Sequence, residues 1–198
     1  MTVKICGITN RDDALAAVEG GAAALGFNFW PRSPRFIPPE QAAELLADLP
    51  RHVWKVGVFV SEPPETVSAL AAHLALDVVQ LHGEAAWPAG IRVWKAVAVD
   101  PGFRAEDLER YDAEAFLLDA PGGALHGGTG RTFDWQRVAG LRRKIVLAGG
   151  LDAGNVREAI RTVRPWGVDA CSRLESAPGK KDHRKMAAFL KAALEERE

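Results

Sequence analysis

The sequence predicts an α/β protein, a single (β/α)8 TIM barrel over residues 1–198, and two observations lead there. Eight strand-then-helix units follow one another at about 25 residues each, near the lower size limit of such a barrel. The alternative, an open doubly wound sheet, usually runs to five or six strands and in its nucleotide-binding versions carries Gly-x-Gly-x-x-Gly after the first strand. The corresponding turn here reads Cys6-Gly7-Ile8-Thr9.

The first unit opens on Val3-Lys4-Ile5-Cys6. Side chains alternate along a strand, so Val3 and Ile5 face one way while Lys4 and Cys6 face the other. Gly7 ends the strand, Thr9 or Asn10 can cap a helix, and residues 11–19 have helical spacing until Gly20-Gly21 stops it. Residues 24–29 form the second strand. Residues 30–38 hold three prolines and make a cationic, aromatic loop before a helix over 39–49. The third unit pairs strand 55–60 with helix 63–74; the fourth runs through strand 77–81 into His82-Gly83 and a short helix near Glu84. Strand 92–97 and a short helix within 102–110 make the fifth. Strand 115–118 ends at Asp119, residues 121–132 with five glycines read as a mobile loop, and 133–141 reads as helix. Strand 144–148 then meets a tight turn, Gly149-Gly150-Leu151-Asp152, and helix 153–163. The last strand is 167–171; a loop through Pro178-Gly179 reaches the terminal helix 182–196, with Met186, Phe189, Leu190 and Leu194 at core spacing.

Composition narrows the function. Lys plus Arg total 25 against 26 Asp plus Glu, a net charge of -1, so nothing draws nucleic acid or an anionic membrane and any bound anion must be held locally. Two cysteines exclude a disulfide-rich scaffold and a four-thiolate zinc site. No apolar run approaches the roughly 20 residues of a membrane helix and no signal-peptide pattern opens the chain, so a soluble cytoplasmic protein, monomer or homodimer, is expected. No cluster has metal-ligand spacing, and no Ser, His, Asp set follows a nucleophile elbow. The six tryptophans are scattered in a way that suits core packing.

In a barrel all strand C-termini open on one face, so Cys6, Phe29, Val60, His82, Val97, Asp119, Gly149 and Cys171 should ring one pocket. A thiol and a carboxyl across a dry pocket can act as base and acid, if a cation lowers the thiol and burial keeps the carboxyl protonated. The bland readings are Cys6 as packing and Asp119 as a cap. Gly149-Gly150 presents backbone N–H groups where barrels often bind phosphate, or is merely a turn. Arg35 either clamps a carboxylate or only meets solvent. Lys95 either forms a Schiff base, which makes the chain a lyase, or is an ion-paired lysine of the barrel. His82 is a pocket hydrogen-bonder or a core histidine. Asp169 shares parity with Cys171 and either answers Lys4 or touches the substrate.

With these positions assembled, the chain resembles the phosphoribosylanthranilate isomerase family over essentially its whole length. The matching stretches include Lys4-Ile5-Cys6-Gly7-Ile8-Thr9, Ser33-Pro34-Arg35, Val79-Gln80-Leu81-His82-Gly83, Leu117-Leu118-Asp119, Phe133-Asp134-Trp135, Ala148-Gly149-Gly150-Leu151 and Pro178-Gly179-Lys180-Lys181-Asp182. The resemblance implies a cofactor-free Amadori rearrangement of a small phosphorylated substrate in tryptophan biosynthesis. It assigns Asp119 as general acid, Cys6 as the base at C2, Arg35 to the anthranilate carboxylate, Gly149 and Gly150 to the phosphate, and Asp169 to the sugar. After the eighth strand the family usually reads Asp-x-Ser-Ser-Gly-x-Glu, whereas this chain has Asp169-Ala170-Cys171-Ser172-Arg173-Leu174-Glu175. Ser172 and Arg173 therefore stand at the phosphate position, where Arg173 pays a steric cost of about 1 kcal/mol or more if positive φ is required. Arg173 then either adds charge to the phosphate or blocks its seat, leaving a weakened or noncatalytic barrel. Strands one and eight are neighbours in a closed barrel, so Cys6 and Cys171 are also expected to approach one another.

Overall fold

The computed structural model describes residues 1–83, 87–88, 90–122 and 130–196; the helix expected near Glu84 and most of the glycine-rich loop lie outside them. Eight parallel strands close in chain order: β1 (Thr2–Cys6), β2 (Ala24–Asn28), β3 (Trp54–Val60), β4 (Val78–His82), β5 (Arg92–Ala98), β6 (Ala115–Asp119), β7 (Ile145–Leu147) and β8 (Gly167–Ala170). β8 returns to β1 with Lys4 opposite Asp169 and Ile5 opposite Ala170, so the barrel expected from the sequence is the barrel observed.

Strand alternation sorts the side chains into two layers. Ala24, Val56, Val78, Trp94, Leu117 and Val146 fill the barrel, while Val3, Ile5, Leu25, Phe27, Phe59 and Phe116 join the larger core under the helices. Each such large side chain contributes about 1.5–3 kcal/mol, so the outer layer dominates stability. Trp54, Trp94 and Trp166 pack together from the N-terminal ends of their strands, with ring centroids 5.7 to 6.0 Å apart. That aromatic plug closes the floor and leaves the opposite, C-terminal face for chemistry.

Five α-helices form among the described residues: α1 (Arg11–Glu19), α2 (Pro39–Ala47), α3 (Pro64–His73), α4 (Val156–Val163) and α5 (His183–Glu195). Their starts follow local chemistry. Asn10 caps α1 by accepting from the Asp13 N–H, proline stands first in α2 and α3, and Asp182 caps α5.

Four expectations are corrected. Residues 133–141 are not a helix but a single 3-10 turn, Trp135–Val138, because the backbone turns extended at Ala139 and Gly140 leaves the right-handed region at φ +77. Residues 105–110 are likewise 3-10. The loop through Pro178-Gly179 is the tip of an antiparallel hairpin, β9 (Glu175–Ala177) with β10 (Lys180–Lys181), which folds two charged side chains back towards the barrel mouth. α4 starts later than residue 153, since Asp152 and Asn155 first build a turn in which Asp152 accepts from Gly154 and Asn155 from Asp152.

Candidate active site

Cys6 ends β1 on the inner face. Its neighbour across the seam is Cys171, whose thiol donates to Glu175 Oε1 at 3.8 Å, and both are free thiols. The neighbouring Cys171 thiol, then the nearby Lys4 ammonium, outweigh burial and hold the Cys6 thiol well below the ordinary cysteine value. The neighbouring Cys6 sulfur and burial push Cys171 up. Gly26 makes the contact with Lys4 feasible: a Cβ there would lie 2.8 Å from Cys6 Sγ and 3.0 Å from Lys4 Nζ.

Asp119 ends β6. Burial pushes it up to about 6, the Ala120 N–H pulls it back in part, and the Cys6 charge pushes it further. The two groups expected to act as base and acid are thus shifted in opposite directions within one cleft, lined also by Asn28, Arg35, Gln80, His82 and Asp169. A second cleft, lined by Gly130, Gly149, Gly150, Ser172 and Arg173, shares Asp119, Asp169 and Cys171 with the first. The two clefts therefore adjoin at Asp119, while Cys6 lines the first.

The second cleft has the character of an anion seat. Gly149 and Gly150 adopt φ +86 and +58, and a Cβ on Gly150 would meet the Gly130 carbonyl oxygen and the Arg131 carbonyl carbon at 2.7 Å. Only glycine lets the turn lie that close to residues 130–131. The backbone N–H groups of Gly149, Gly150, Leu151, Ser172 and Arg173 have no hydrogen-bond partner among the described residues. Unpartnered N–H groups converging on a cleft suit a phosphate. The steric cost expected at Arg173 does not arise, because Ser172–Leu174 is a 3-10 turn and Arg173 is not among the positive-φ residues. Its guanidinium donates from Nε to the Gly130 carbonyl at 3.0 Å and from Nη1 to Asp152 at 3.1 Å, bracing the rim rather than filling the seat.

Asp169 answers Lys4 at 2.8 Å, both side chains being almost wholly buried. Burial pushes Asp169 up to about 7 against the pull of Lys4, while Asp169 and Cys6 overcome burial to hold Lys4 charged. Breaking a buried pair from one side is costly, so Asp169→Ala is expected to lower the unfolding free energy by about 3–5 kcal/mol. Denaturant midpoints with an unchanged slope measure this, and a loss below about 1 kcal/mol would show that the pair does not hold the seam.

Arg35 does clamp a carboxylate, but it is Glu175 of β9, from Nε at 2.8 Å and Nη2 at 2.7 Å. Nη1 has no hydrogen-bond partner among the described residues. Lys181 of β10 completes this network, 2.9 Å from Glu175 and 3.7 Å from the Cys171 sulfur. Burial would raise Glu175, yet Arg35 and Lys181 together hold it below its usual range. Neither Glu175 nor Lys181 was singled out from the sequence, although both lie in stretches that carry the family pattern.

His82 lines the first cleft, its Nε2 2.9 Å from the Gln80 amide. Gln80 itself, 2 % exposed, has an Oε1 with no hydrogen-bond partner among the described residues, a signal that the sequence did not carry. Lys95 corrects the Schiff-base reading. Trp94 and Ala96 occupy the interior, so Lys95 points to the helix layer, where it donates to the Gly83 carbonyl and lies over Tyr111. Phe29 and Val97 face outward for the same reason of parity, Phe29 against Phe59.

Comparison with known proteins shows the family. The family model for N-(5'phosphoribosyl)anthranilate (PRA) isomerase matches residues 3–192. The chain is 51% identical over 196 residues to the N-(5'-phosphoribosyl)anthranilate isomerase of Solibacter usitatus, covering 98% of this chain and 97% of that protein. The crystal structure of phosphoribosyl anthranilate isomerase from Thermotoga maritima superimposes with a TM-score of 0.89 at 44% identity, over 98% of this chain and 99% of that one. Another isomerase structure, in complex with reduced 1-(o-carboxyphenylamino)-1-deoxyribulose 5-phosphate, gives 0.85 at 42% identity over the same shares. A closed barrel with oppositely shifted thiol and carboxyl groups, matched across its length, belongs to the N-(5'-phosphoribosyl)anthranilate isomerase family.

Proposed function

We propose that Cys6 and Asp119 perform the isomerisation of N-(5-phosphoribosyl)anthranilate to 1-(2-carboxyphenylamino)-1-deoxyribulose 5-phosphate as a base and acid pair. Asp119, protonated, gives its proton to the ribose ring oxygen, and the ring opens to a Schiff base. The Cys6 thiolate takes the proton from C2, leaving an enolamine. That species becomes the ketone as C1 gains a proton and the C2 hydroxyl loses one. The proton left on Cys6 returns to Asp119 through solvent in the open cleft, so the cycle moves protons only and consumes nothing. The single observation that carries this reading is the opposite shift of the two groups in one cleft, thiol downward and carboxyl up to about 6.

The phosphate is assigned to the N–H groups of Gly149, Gly150, Ser172 and Arg173, with Arg173 adding charge at the rim. Arg35, held rigid by Glu175, offers Nη1 to the anthranilate carboxylate, while Gln80, His82 and Asp169 face the sugar hydroxyls. All these groups come from one chain and one domain, residues 1–198, which supports turnover by a monomer or homodimer on a small phosphorylated ligand. Two tests apply. The chain should restore growth without tryptophan to a strain lacking this isomerase, and failure of soluble protein to do so would refute the reading. Inorganic phosphate should compete with substrate, and Gly150→Ala should raise both its inhibition constant and KM by on the order of tenfold or more. Unaltered phosphate inhibition in that variant would move the anion elsewhere.

A further inference from the structure

The second thiol is not used by the chemistry above, yet three observations set it against the first. The β1–β8 register runs Lys4 to Asp169 and Ile5 to Ala170, so the next residues along the two strands are Cys6 and Cys171. Neighbouring strands lie about 4.8 Å apart, inside the Cα separations of about 4.4–6.8 Å that a disulfide spans. Both side chains share the inward parity that already brings Lys4 and Asp169 to 2.8 Å. Thirdly, both cysteines are partly exposed and line the open cleft, with Lys181 Nζ 3.7 Å from the Cys171 sulfur.

We propose that Cys6 and Cys171 form a redox modification site, in which hydrogen peroxide entering the cleft converts the two thiols into one disulfide. The Cys6 thiolate attacks the peroxide oxygen, the O–O bond breaks, and Cys6 becomes a sulfenic acid as hydroxide leaves and takes a proton to become water. The Cys171 sulfur then attacks the Cys6 sulfur, the S–O bond breaks, and a second water leaves with the Cys171 proton. Two thiols are oxidised by two electrons and one peroxide is reduced to two waters. A dithiol reverses the change by exchange. The consequence for turnover rests on Cys6 being the base; the bond itself does not.

The test treats the full chain with hydrogen peroxide, follows isomerase rate, and measures intact mass and non-reduced peptides by mass spectrometry. The expected product is lighter by two hydrogen atoms, carries a peptide joining Cys6 to Cys171, and has lost on the order of a hundredfold or more in rate, all restored by dithiothreitol. Cys171→Ser, compared with its own untreated rate, should form no such linkage and instead gain oxygen on Cys6. A wild-type product that gains oxygen without the linked peptide, or keeps two alkylatable thiols, would overturn the proposal. Formation of the linkage with undiminished rate would support the modification site while refuting Cys6 as the base.

Discussion

Cys6→Ala is expected to lower kcat by on the order of a thousandfold or more, with KM changed far less. The sulfur is argued to take a carbon-bound proton, a contact that becomes strong only as the proton moves, so its loss falls on the transition state. Removing a partly exposed thiol beside Gly26 leaves the fold intact, and an unfolding midpoint close to wild type separates chemistry from stability. Cys6→Ser should be nearly as slow, since a hydroxyl beside Lys4 does not ionise near neutral pH as the thiol does. A rate within a few-fold of wild type for the alanine variant would remove Cys6 from the mechanism.

Asp119→Asn is expected to cost on the order of a hundredfold to ten-thousandfold in kcat, because the amide keeps the shape but cannot give up a proton to the ring oxygen. The pH profile carries the sign. Asp119 works in its protonated form and its carboxyl sits at about 6, so kcat/KM falls as pH rises through that value. Cys6 works as the thiolate and sits well below the ordinary thiol value, so the opposite limb lies on the acid side. A bound phosphate dianion raises Asp119 further, and the alkaline limb of kcat should lie at higher pH than that of kcat/KM. In Asp119→Asn that alkaline limb should vanish from the residual rate; its persistence would assign it to another group.

Much of this was legible because strand parity is a strong local signal. Lys4 with Cys6, Leu117 with Asp119 and Asp169 with Cys171 follow from alternation once the barrel closes. The same rule read on β5 places Lys95 outside, but a strand buried on both faces offers no polar side from which to fix its phase, and only Trp94 in the interior does so. Short segments after β5 and β6 have too few residues to show whether a turn is α or 3-10. The clamp of Arg35 on Glu175 joins residues 140 apart through a hairpin that the sequence presents as a loop. The sequence presents Arg173 as a glycine replacement that would need positive φ, whereas the backbone takes a right-handed 3-10 turn and the side chain braces Gly130 and Asp152.

The most direct test of the central claim, that one cleft holds the sugar between Cys6 and Asp119, is a crystal structure of this chain with the reduced product analogue. The expected complex has the Cys6 sulfur in contact with C2, the Asp119 carboxyl hydrogen-bonded to the former ring oxygen, and the phosphate on the N–H groups of Gly149 and Gly150. A ligand whose C2 lies beyond contact of that sulfur, or whose phosphate is held elsewhere, would contradict the account.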